Sequence, residues 1–488
     1  MKLLGFIPRD NVTLKFAMHI FEHTTILKNF SILTTGGALS QVLGILVNIL
    51  LARYLAPEQF GEYTLILTYI TIFYTIASLG LNQVIIRTIA RNQDNSRTVL
   101  QFSIRWRLIG FFFSLLAVLI YFLFKHDTLN FSYDVLLGLL VGVFACSFWD
   151  AFQNVAFGMQ KVVSNSVVNV FGNMVNLLLV VMVPMRFLNL KIALFIYVGV
   201  YFLKTLIYLL CLYYNKLLTY NKDTSLRLGS STIITECMPF YILALFSLVR
   251  NQFPVVFLKD ACGSVEVAYF NTANKILQPL SMLGYTLFRA VYPFMAKAYY
   301  DDFSRFVDIV RKMLVTIVVG GMVASLVVSL FRNEIVMFLY GAQYADTGNV
   351  MALQCWYLVL ALMFALINTT MGAADHQKIL AVTSMIFTIS SIPILYYASF
   401  YGAAGLAIGF LITSILNMTY TYYYFSKIVK KKLSVTFSFI LFSLFILSFL
   451  ISIVIPFSLN LYIRIFITLS ILFFVVYYRK VILNYLKL

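Results

Sequence analysis

The sequence predicts an all-α, polytopic membrane protein of about 14 transmembrane helices. Apolar residues make up 61% of the 488 residues, and charged residues only 11%. A soluble fold cannot bury so much apolar surface, whereas each crossing of a bilayer core takes roughly 20 helical residues. The connections between apolar stretches are too short for a globular catalytic domain. We therefore expect the function to lie within the membrane, and we expect no enzymatic activity, cofactor or metal.

The apolar stretches divide the chain into five consecutive segments. These are a cytoplasmic or interfacial N-terminal segment (1–29), a first lobe of six spans (30–214), a second lobe of six spans (232–424), two further spans (435–477) and a cytoplasmic tail (478–488). The predicted spans are 30–52, 60–82, 108–124, 135–157, 166–184, 192–214, 232–257, 264–290, 313–332, 348–372, 379–397, 402–424, 435–456 and 460–477.

A weak internal repeat indicates two pseudo-symmetric lobes. Phe60-Gly61-Glu62-Tyr63 follows the first span, and Val265-Glu266-Val267-Ala268-Tyr269 follows the seventh. An even number of spans separates the two motifs, so both halves should insert in the same direction. Parallel repeats of this kind are related by an axis along the membrane normal. Two such six-helix lobes would enclose a central cavity.

The net charge of +18 predicts the orientation of the protein in the membrane. In a soluble protein such a charge would suggest a nucleic-acid partner. Here most Lys and Arg residues fall in connections on the same side as the N-terminus, for example Arg87 to Arg107 and Lys427 to Lys432. Because Lys and Arg collect on the cytoplasmic side, both termini should be cytoplasmic, and we expect no nucleic-acid partner.

Six ionisable residues lie inside predicted spans, and they are the candidates for a functional site. Four are basic and two acidic, namely Lys204, Lys275, Arg250 and Arg289, and Asp150 and Glu236. A lysine that faced lipid at mid-depth would cost about 2.5 kcal/mol or more. The basic side chains should therefore line a hydrated cavity and suit an anionic cargo such as a pyrophosphate.

Other roles for these six residues are open. Lys204 could pair with Asp150, and the two arginines could extend to the lipid headgroups. Asp150 or Glu236 could instead carry a coupling ion, either a proton or Na⁺.

Amide side chains repeat along two spans. Asn165, Asn169, Asn173 and Asn176 share one face of span five, and Gln41, Gly44 and Asn48 share one face of span one. Buried amides need hydrogen-bond partners, and sugar hydroxyls can supply them. This pattern predicts glycan contacts at Asn169, Asn173, Asn176, Gln41 and Asn48. Hydrogen bonding between helices is the alternative interpretation.

One motif has an enzymatic appearance. His19-Ile20-Phe21-Glu22-His23 fits a zinc-protease pattern, but it lies before the first span with no domain around it. We expect an interfacial amphipathic segment there and no zinc site. No P-loop occurs, so ATP-driven transport within this chain is not expected.

Two stretches of the sequence are similar to a known family. The first comprises Leu51-Ala52-Arg53-Tyr54-Leu55-Ala56-Pro57-Glu58-Gln59-Phe60-Gly61-Glu62-Tyr63, Leu79-Gly80-Leu81 and Ile85-Ile86-Arg87; the second comprises Val267-Ala268-Tyr269, Asn274-Lys275-Ile276 and Tyr292-Pro293. Together with the span count, these residues resemble the polysaccharide-export flippases known as the Wzx, or polysaccharide transporter, family. One departure stands at Arg250-Asn251-Gln252, where relatives often carry an acidic residue soon after the arginine.

The resemblance implies the fold of the multidrug/oligosaccharidyl-lipid/polysaccharide (MOP) superfamily, with two six-helix lobes and often two extra helices. It implies that undecaprenyl-pyrophosphate-linked O-antigen units are flipped across a bacterial inner membrane by alternating access. In that interpretation Lys204 and Lys275 hold the pyrophosphate, Arg250 and Arg289 are outer and inner gates, and membrane lipids surround the prenyl tail.

Two other functions compete with this one. A multidrug/cation antiporter of the same superfamily would prefer carboxylates at mid-depth, where this chain has lysines. A membrane-embedded O-antigen polymerase or ligase would need a large external loop, and no external loop here is long.

Overall fold

The computed structural model describes residues 35–91, 93, 96–124, 132–214, 230–428, 446 and 449. Within these residues the chain is helical and has no strands. The α-helices are α1 (Thr35–Tyr54), α2 (Pro57–Ser78), α3 (Leu81–Arg91), α4 (Ser96–Phe124), α5 (Tyr133–Gly158), α6 (Val162–Met182), α7 (Leu190–Tyr214), α8 (Ser230–Cys262), α9 (Ser264–Asp301), α10 (Phe303–Leu330), α11 (Arg332–Tyr340), α12 (Thr347–Ala373), α13 (Gln377–Ser399) and α14 (Gly402–Ile428).

The predicted all-α membrane architecture is confirmed. Eleven helices of the described part of the chain are long and apolar enough to cross a membrane. The predicted span 264–290 lies in α9, which is not among the eleven because Asn, Gln and Lys side chains lower its hydropathy. The N-terminal segment with its His19–His23 motif, the spans 435–456 and 460–477 and the tail lie outside the described residues.

Several helices extend beyond the predicted spans. α4 begins at Ser96 rather than at residue 108, and the predicted connection 296–312 is almost entirely helical. Only Asp302 interrupts it, and the Asp302 carboxylate caps α10 by accepting hydrogen bonds from the backbone N–H groups of Ser304 (3.0 Å) and Arg305 (3.1 Å). Charged residues therefore mark the edge of the membrane here, and not the end of the helix.

We refer to α1–α7 as the first lobe and to α8–α14 as the second lobe. The lobes meet along α2, which packs against α8 and α9, and along α3, which packs against α8. One continuous core of buried residues runs through this boundary and includes Phe60 and Tyr63 of the first lobe and Val267 and Ala268 of the second.

The lobes approach most closely at the end formed by the α1–α2 and α8–α9 turns. An added Cβ at Gly61 would lie 1.8 Å from the carbonyl oxygen of Ser264, so only glycine allows this contact. The ring of Tyr344, next to α11, packs edge-on against Phe60 (6.2 Å between centroids) and Tyr269 (6.3 Å). We call this contact, formed by Arg53, Phe60, Gly61, Ser264 and Tyr344, the seam.

Candidate substrate site

A cavity of about 470 Å³ lies between the lobes, and we call it the interlobe cavity. Residues of α1 and α2 line one side, and residues of α8, α9, α12 and α14 line the other. Its polar lining consists of seven amides, five hydroxyls and one amine, namely Asn48, Asn251, Gln252, Asn271, Asn274, Gln278 and Gln354, Thr64, Thr68, Thr71, Ser281 and Tyr357, and Lys275. No carboxylate of a described residue lines it.

Helix α9 supplies the largest polar part of this lining. Asn271, Asn274, Lys275 and Gln278 follow steps of three, one and three, which places them on one helical face. The Nζ of Lys275 lies 3.5 Å from the Gln278 Oε1, and Asn271 Nδ2 donates to the hydroxyl of Thr64 across the lobe boundary (3.2 Å). Lys275 therefore lines a cavity, as the sequence analysis expected.

Gln354 presents an unused acceptor in the wall of the interlobe cavity. Its side chain is 5% exposed, and its Nε2 donates to the carbonyl of Phe270 (3.1 Å). Its Oε1 is buried and has no hydrogen-bond partner in the described part of the protein. A buried acceptor without a partner is costly, so a small shift of the cavity wall that exposed this oxygen would let a ligand hydroxyl satisfy it.

A second cavity, of about 720 Å³, lies inside the second lobe among α8, α9, α12, α13 and α14. We call it the second-lobe cavity. Arg250 and Arg289 both line it, with aromatic rings, hydroxyls and the amides Asn368 and Asn417. The guanidinium carbon of Arg250 lies 5.5 Å from the centroid of Phe387. The two arginines therefore line the same cavity, and their roles as outer and inner gates stay a prediction.

Two aromatic side chains lie where the two cavities adjoin. Tyr357 and Phe410 line both, and their ring centroids are 5.2 Å apart. Phe410 also stacks on Phe270, with the ring centroids at 5.9 Å. The two cavities therefore adjoin each other at Tyr357 and Phe410.

Lys204, the other mid-depth lysine, lies inside the first lobe. It is 5% exposed, and its Nζ donates to Asn173 Oδ1 (2.9 Å). The Nζ also lies 5.1 Å from the ring centroid of Tyr201 and 5.9 Å from that of Trp149. Lys204 lines neither of the two cavities, and its role in pyrophosphate binding stays a prediction.

Three amides of α6 form hydrogen bonds within the first lobe. Asn173 Nδ2 donates to the backbone carbonyl and the hydroxyl of Ser40, both at 2.8 Å, and Asn169 Nδ2 donates to the carbonyl of Asn165 (3.1 Å). Asn165 also accepts a hydrogen bond from the phenol of Tyr208. Asn165 and Asn173 therefore bond to other helices, which was the alternative to glycan contact, whereas Asn169 bonds within its own helix and its glycan contact stays a prediction.

The remaining amides predicted to contact glycan are placed differently. Asn176 and Gln41 are partly buried on α6 and α1 and line neither cavity. Asn48 lines the interlobe cavity.

Asp150 is ion-paired with a residue that the sequence analysis assigned to a loop. The guanidinium of Arg107 lies 2.9 Å from its carboxylate and also donates to the Ser147 carbonyl (2.8 Å) and to Asn82 Oδ1 (2.6 Å). Arg107 is only 1% exposed. The pairing of Asp150 with Lys204 that was considered above is therefore wrong, and Arg107 is not a surface charge.

Glu236, the second acidic residue, lies at the boundary between the lobes. Its carboxylate is 2.5 Å from the guanidinium of Arg87 on α3, and both side chains are largely exposed. Neither it nor Asp150 lines the two cavities. Their roles in ion coupling stay predictions.

The fold is similar to those of known membrane transporters. It is similar to the Lipid II flippase MurJ in its inward closed conformation, with a TM-score of 0.65 and 16% identity over 93% of this chain and 99% of MurJ. It is also similar to a multidrug resistance MATE family transporter of the MOP superfamily in an inward-facing conformation, with a TM-score of 0.58 and 16% identity over 81% of this chain and 96% of that one. This is the fold of a multi-pass MOP-superfamily transporter.

The sequence then defines the family. Residues 26–299, more than half of the chain, match the model of a family described as polysaccharide biosynthesis protein, and the chain belongs to this family. A curated relative, the capsular polysaccharide biosynthesis protein CapF of Staphylococcus aureus, is 22% identical over 421 residues, which cover 83% of this chain and all of the relative.

Sequence reasoning missed most of the amides at the interlobe cavity. The spacing of Asn271, Asn274, Lys275 and Gln278 carries the same signal of a shared helical face as the Asn residues of α6. Asn251 and Gln252 stand where the family resemblance showed a departure, and both line the cavity. Gln354 and Thr64 belong to separate helices, α12 and α2, and only the packing of both helices against α9 brings them to the same cavity.

Proposed function

We propose that the protein flips an undecaprenyl-pyrophosphate-linked oligosaccharide of the O-antigen type from the cytoplasmic to the periplasmic face of a bacterial inner membrane. The observation that carries the proposal is the lining of the interlobe cavity. Seven amides can bind sugar hydroxyls, and Lys275 supplies the positive charge that a pyrophosphate needs. Family membership and the flippase-like fold support the same conclusion.

The mechanism we propose is alternating access without covalent chemistry. The pyrophosphate and the first sugars occupy the interlobe cavity, and the prenyl tail stays in lipid beside the lobes. Opening of the seam would release the head group on the other side. Because an anion leaves a negative cell interior with a gain of about 2.3 kcal/mol per charge per 100 mV, outward movement needs no ATP.

The charges of the cavities argue against the cation antiporter as an alternative. Lys275, Arg250 and Arg289 line the two cavities, and no acidic residue of the described chain does. A cationic drug would therefore meet like charges at both places, which costs binding free energy.

The test is flipping by the full-length protein reconstituted in liposomes. The probe is an undecaprenyl-pyrophosphate sugar with a fluorescent label on the sugar, and flipping is measured as protection of the label from a membrane-impermeant quencher. Lys275→Gln should slow flipping at least about tenfold, because a charge-assisted hydrogen bond contributes about 1.5–3 kcal/mol.

The matched control is Lys312→Gln. Lys312 pairs with Asp308 on the exposed surface of α10, at 3.0 Å. The Lys312→Gln protein should flip the probe at the wild-type rate. Equal rates for wild type and Lys275→Gln, or transport of a cationic dye in place of the lipid, would contradict the proposal.

A further inference from the structure

The second-lobe cavity has the chemistry of a separate anion site. Arg250 comes from α8 and Arg289 from α9, and no described carboxylate pairs with either guanidinium or lines the cavity. Its volume of about 720 Å³ falls within the range of roughly 300–1,000 Å³ that is usual for ligand pockets. Arg250 is partly buried and Arg289 is exposed. Both line the same cavity, so an anion bound there would be attracted by two positive charges.

The remaining lining suits a sugar better than a bare phosphate. Phe288, Phe364 and Phe387 supply flat apolar surfaces, and Ser391, Thr388 and Asn417 supply hydroxyl and amide groups. The Oδ1 of Asn368 is buried without a hydrogen-bond partner in the described part of the chain. A pocket with apolar walls and a few polar groups orients a ligand that has both kinds of surface.

The position of the cavity argues for the glycan rather than the pyrophosphate. The pyrophosphate joins the sugar to the prenyl tail, and the tail must stay in lipid, so the pyrophosphate belongs at the boundary between the lobes near Lys275. The second-lobe cavity is lined by five helices of one lobe and adjoins the interlobe cavity at Tyr357 and Phe410. A group that reaches it is therefore farther from the lipid tail.

We propose that the second-lobe cavity binds a carboxylate-bearing sugar of the transported glycan, and that Arg250 and Arg289 make the protein selective for acidic repeat units. The planar guanidinium forms paired hydrogen bonds with a carboxylate, which a lysine cannot do. This inference rests on the proposed function, because it assigns a second part of the same substrate.

The experiment is calorimetric binding to the full-length protein in detergent micelles. Two probes are compared, a farnesyl-pyrophosphate disaccharide ending in glucuronic acid and its counterpart ending in glucose. Wild type should bind the acidic probe at least about tenfold more tightly, as expected for one charge-assisted contact. Arg250→Gln and Arg289→Gln should each abolish this preference, measured as the ratio of the two affinities, and thermal unfolding of each purified variant shows that it is folded.

Three further variants separate the interpretations. Arg250→Lys should retain part of the preference, and Arg305→Gln, at an exposed position on α10, should retain all of it. Lys275→Gln should lower the affinity for both probes by the same factor. Equal wild-type affinity for the two probes overturns the acidic-sugar assignment but leaves the proposed function standing. Equal weakening of both probes by the arginine variants also overturns it, because the arginines then bind phosphate. Binding of neither probe overturns both proposals.

Discussion

The Nε of Arg53 donates a 2.7 Å hydrogen bond to the carbonyl of Leu339, across the boundary between the lobes. Arg53 ends the first span, and Leu339 lies in the last turn of α11, where helix carbonyls lack intrahelical partners. The same guanidinium donates to the carbonyl of Phe338. A cation at a helix C-terminus is electrostatically favourable. Arg53, in the family-like motif Leu51–Tyr63, therefore holds the seam closed rather than contacting either cavity.

The closed seam predicts a conformational effect for Gly61→Ala. The new Cβ would lie 1.8 Å from the backbone oxygen of Ser264, and a backbone atom cannot rotate away. The lobes should therefore separate at this end. Double electron–electron resonance between spin labels at the exposed positions Gln59 and Asp346 should show a longer distance than in wild type.

Gly199→Ala is the control for this prediction. Gly199 also lies within a helix, α7, but a Cβ there has no neighbour within 4 Å. The distance distribution of the Gly199→Ala protein should match that of wild type. An unchanged distribution in Gly61→Ala would show that the seam tolerates the methyl group and is not a tight contact.

The two mid-depth lysines should respond differently to the same substitution. Lys204→Met should keep flipping within about twofold of wild type, because Lys204 is buried against Asn173 and the rings of Tyr201 and Trp149, away from both cavities. Lys275→Met should lower the flipping rate at least about tenfold, which corresponds to the loss of one charge-assisted hydrogen bond. The liposome assay measures both. A folded Lys204→Met protein that does not flip would restore the sequence-based assignment of Lys204 to the pyrophosphate.

Asp150→Asn should destabilise the protein by about 3–5 kcal/mol, because it leaves the buried Arg107 without its counter-ion. Unfolding of the detergent-solubilised protein measures the change. Asp134→Asn provides the matched control, since Asp134 pairs with Lys191 on the exposed surface and such pairs contribute roughly 0–1 kcal/mol. If Asp150→Asn were stable and instead changed the pH dependence of flipping, the residue would carry a coupling proton.

Gln354→Leu should separate stability from transport. The substitution removes the buried Oε1 that has no partner in the described chain and also the Nε2 hydrogen bond to the Phe270 carbonyl, so the two effects offset each other and the free energy of unfolding should change by no more than about 1 kcal/mol. Flipping should fall because a glycan hydroxyl loses its acceptor. Thermal unfolding and the liposome assay are measured on the same preparation. A variant that flips normally would exclude Gln354 from the glycan site.

The membrane-spanning helices could be predicted from the sequence. Whether a segment enters the bilayer depends on the transfer free energies of its own side chains, and these add along the chain. The predicted spans accordingly correspond to helices throughout the described residues. The predicted helix ends were less accurate, because hydropathy detects where apolar residues stop and not where a helix ends. Helix α9 continues past its predicted span to Asp301, and α10 begins at Phe303, before its predicted span.

The site residues show the limit of the same reasoning. Lys204 and Lys275 have nearly equivalent surroundings in the sequence, since each interrupts an apolar stretch at mid-depth. The packing of α6 and α7 buries Lys204 against Asn173, whereas α9 turns Lys275 towards α2 and the space between the lobes. The sequence alone determined that these charges lie within the membrane. Only the tertiary structure decided which of them meets a cavity, because the direction of a side chain depends on contacts between helices that are distant in the chain.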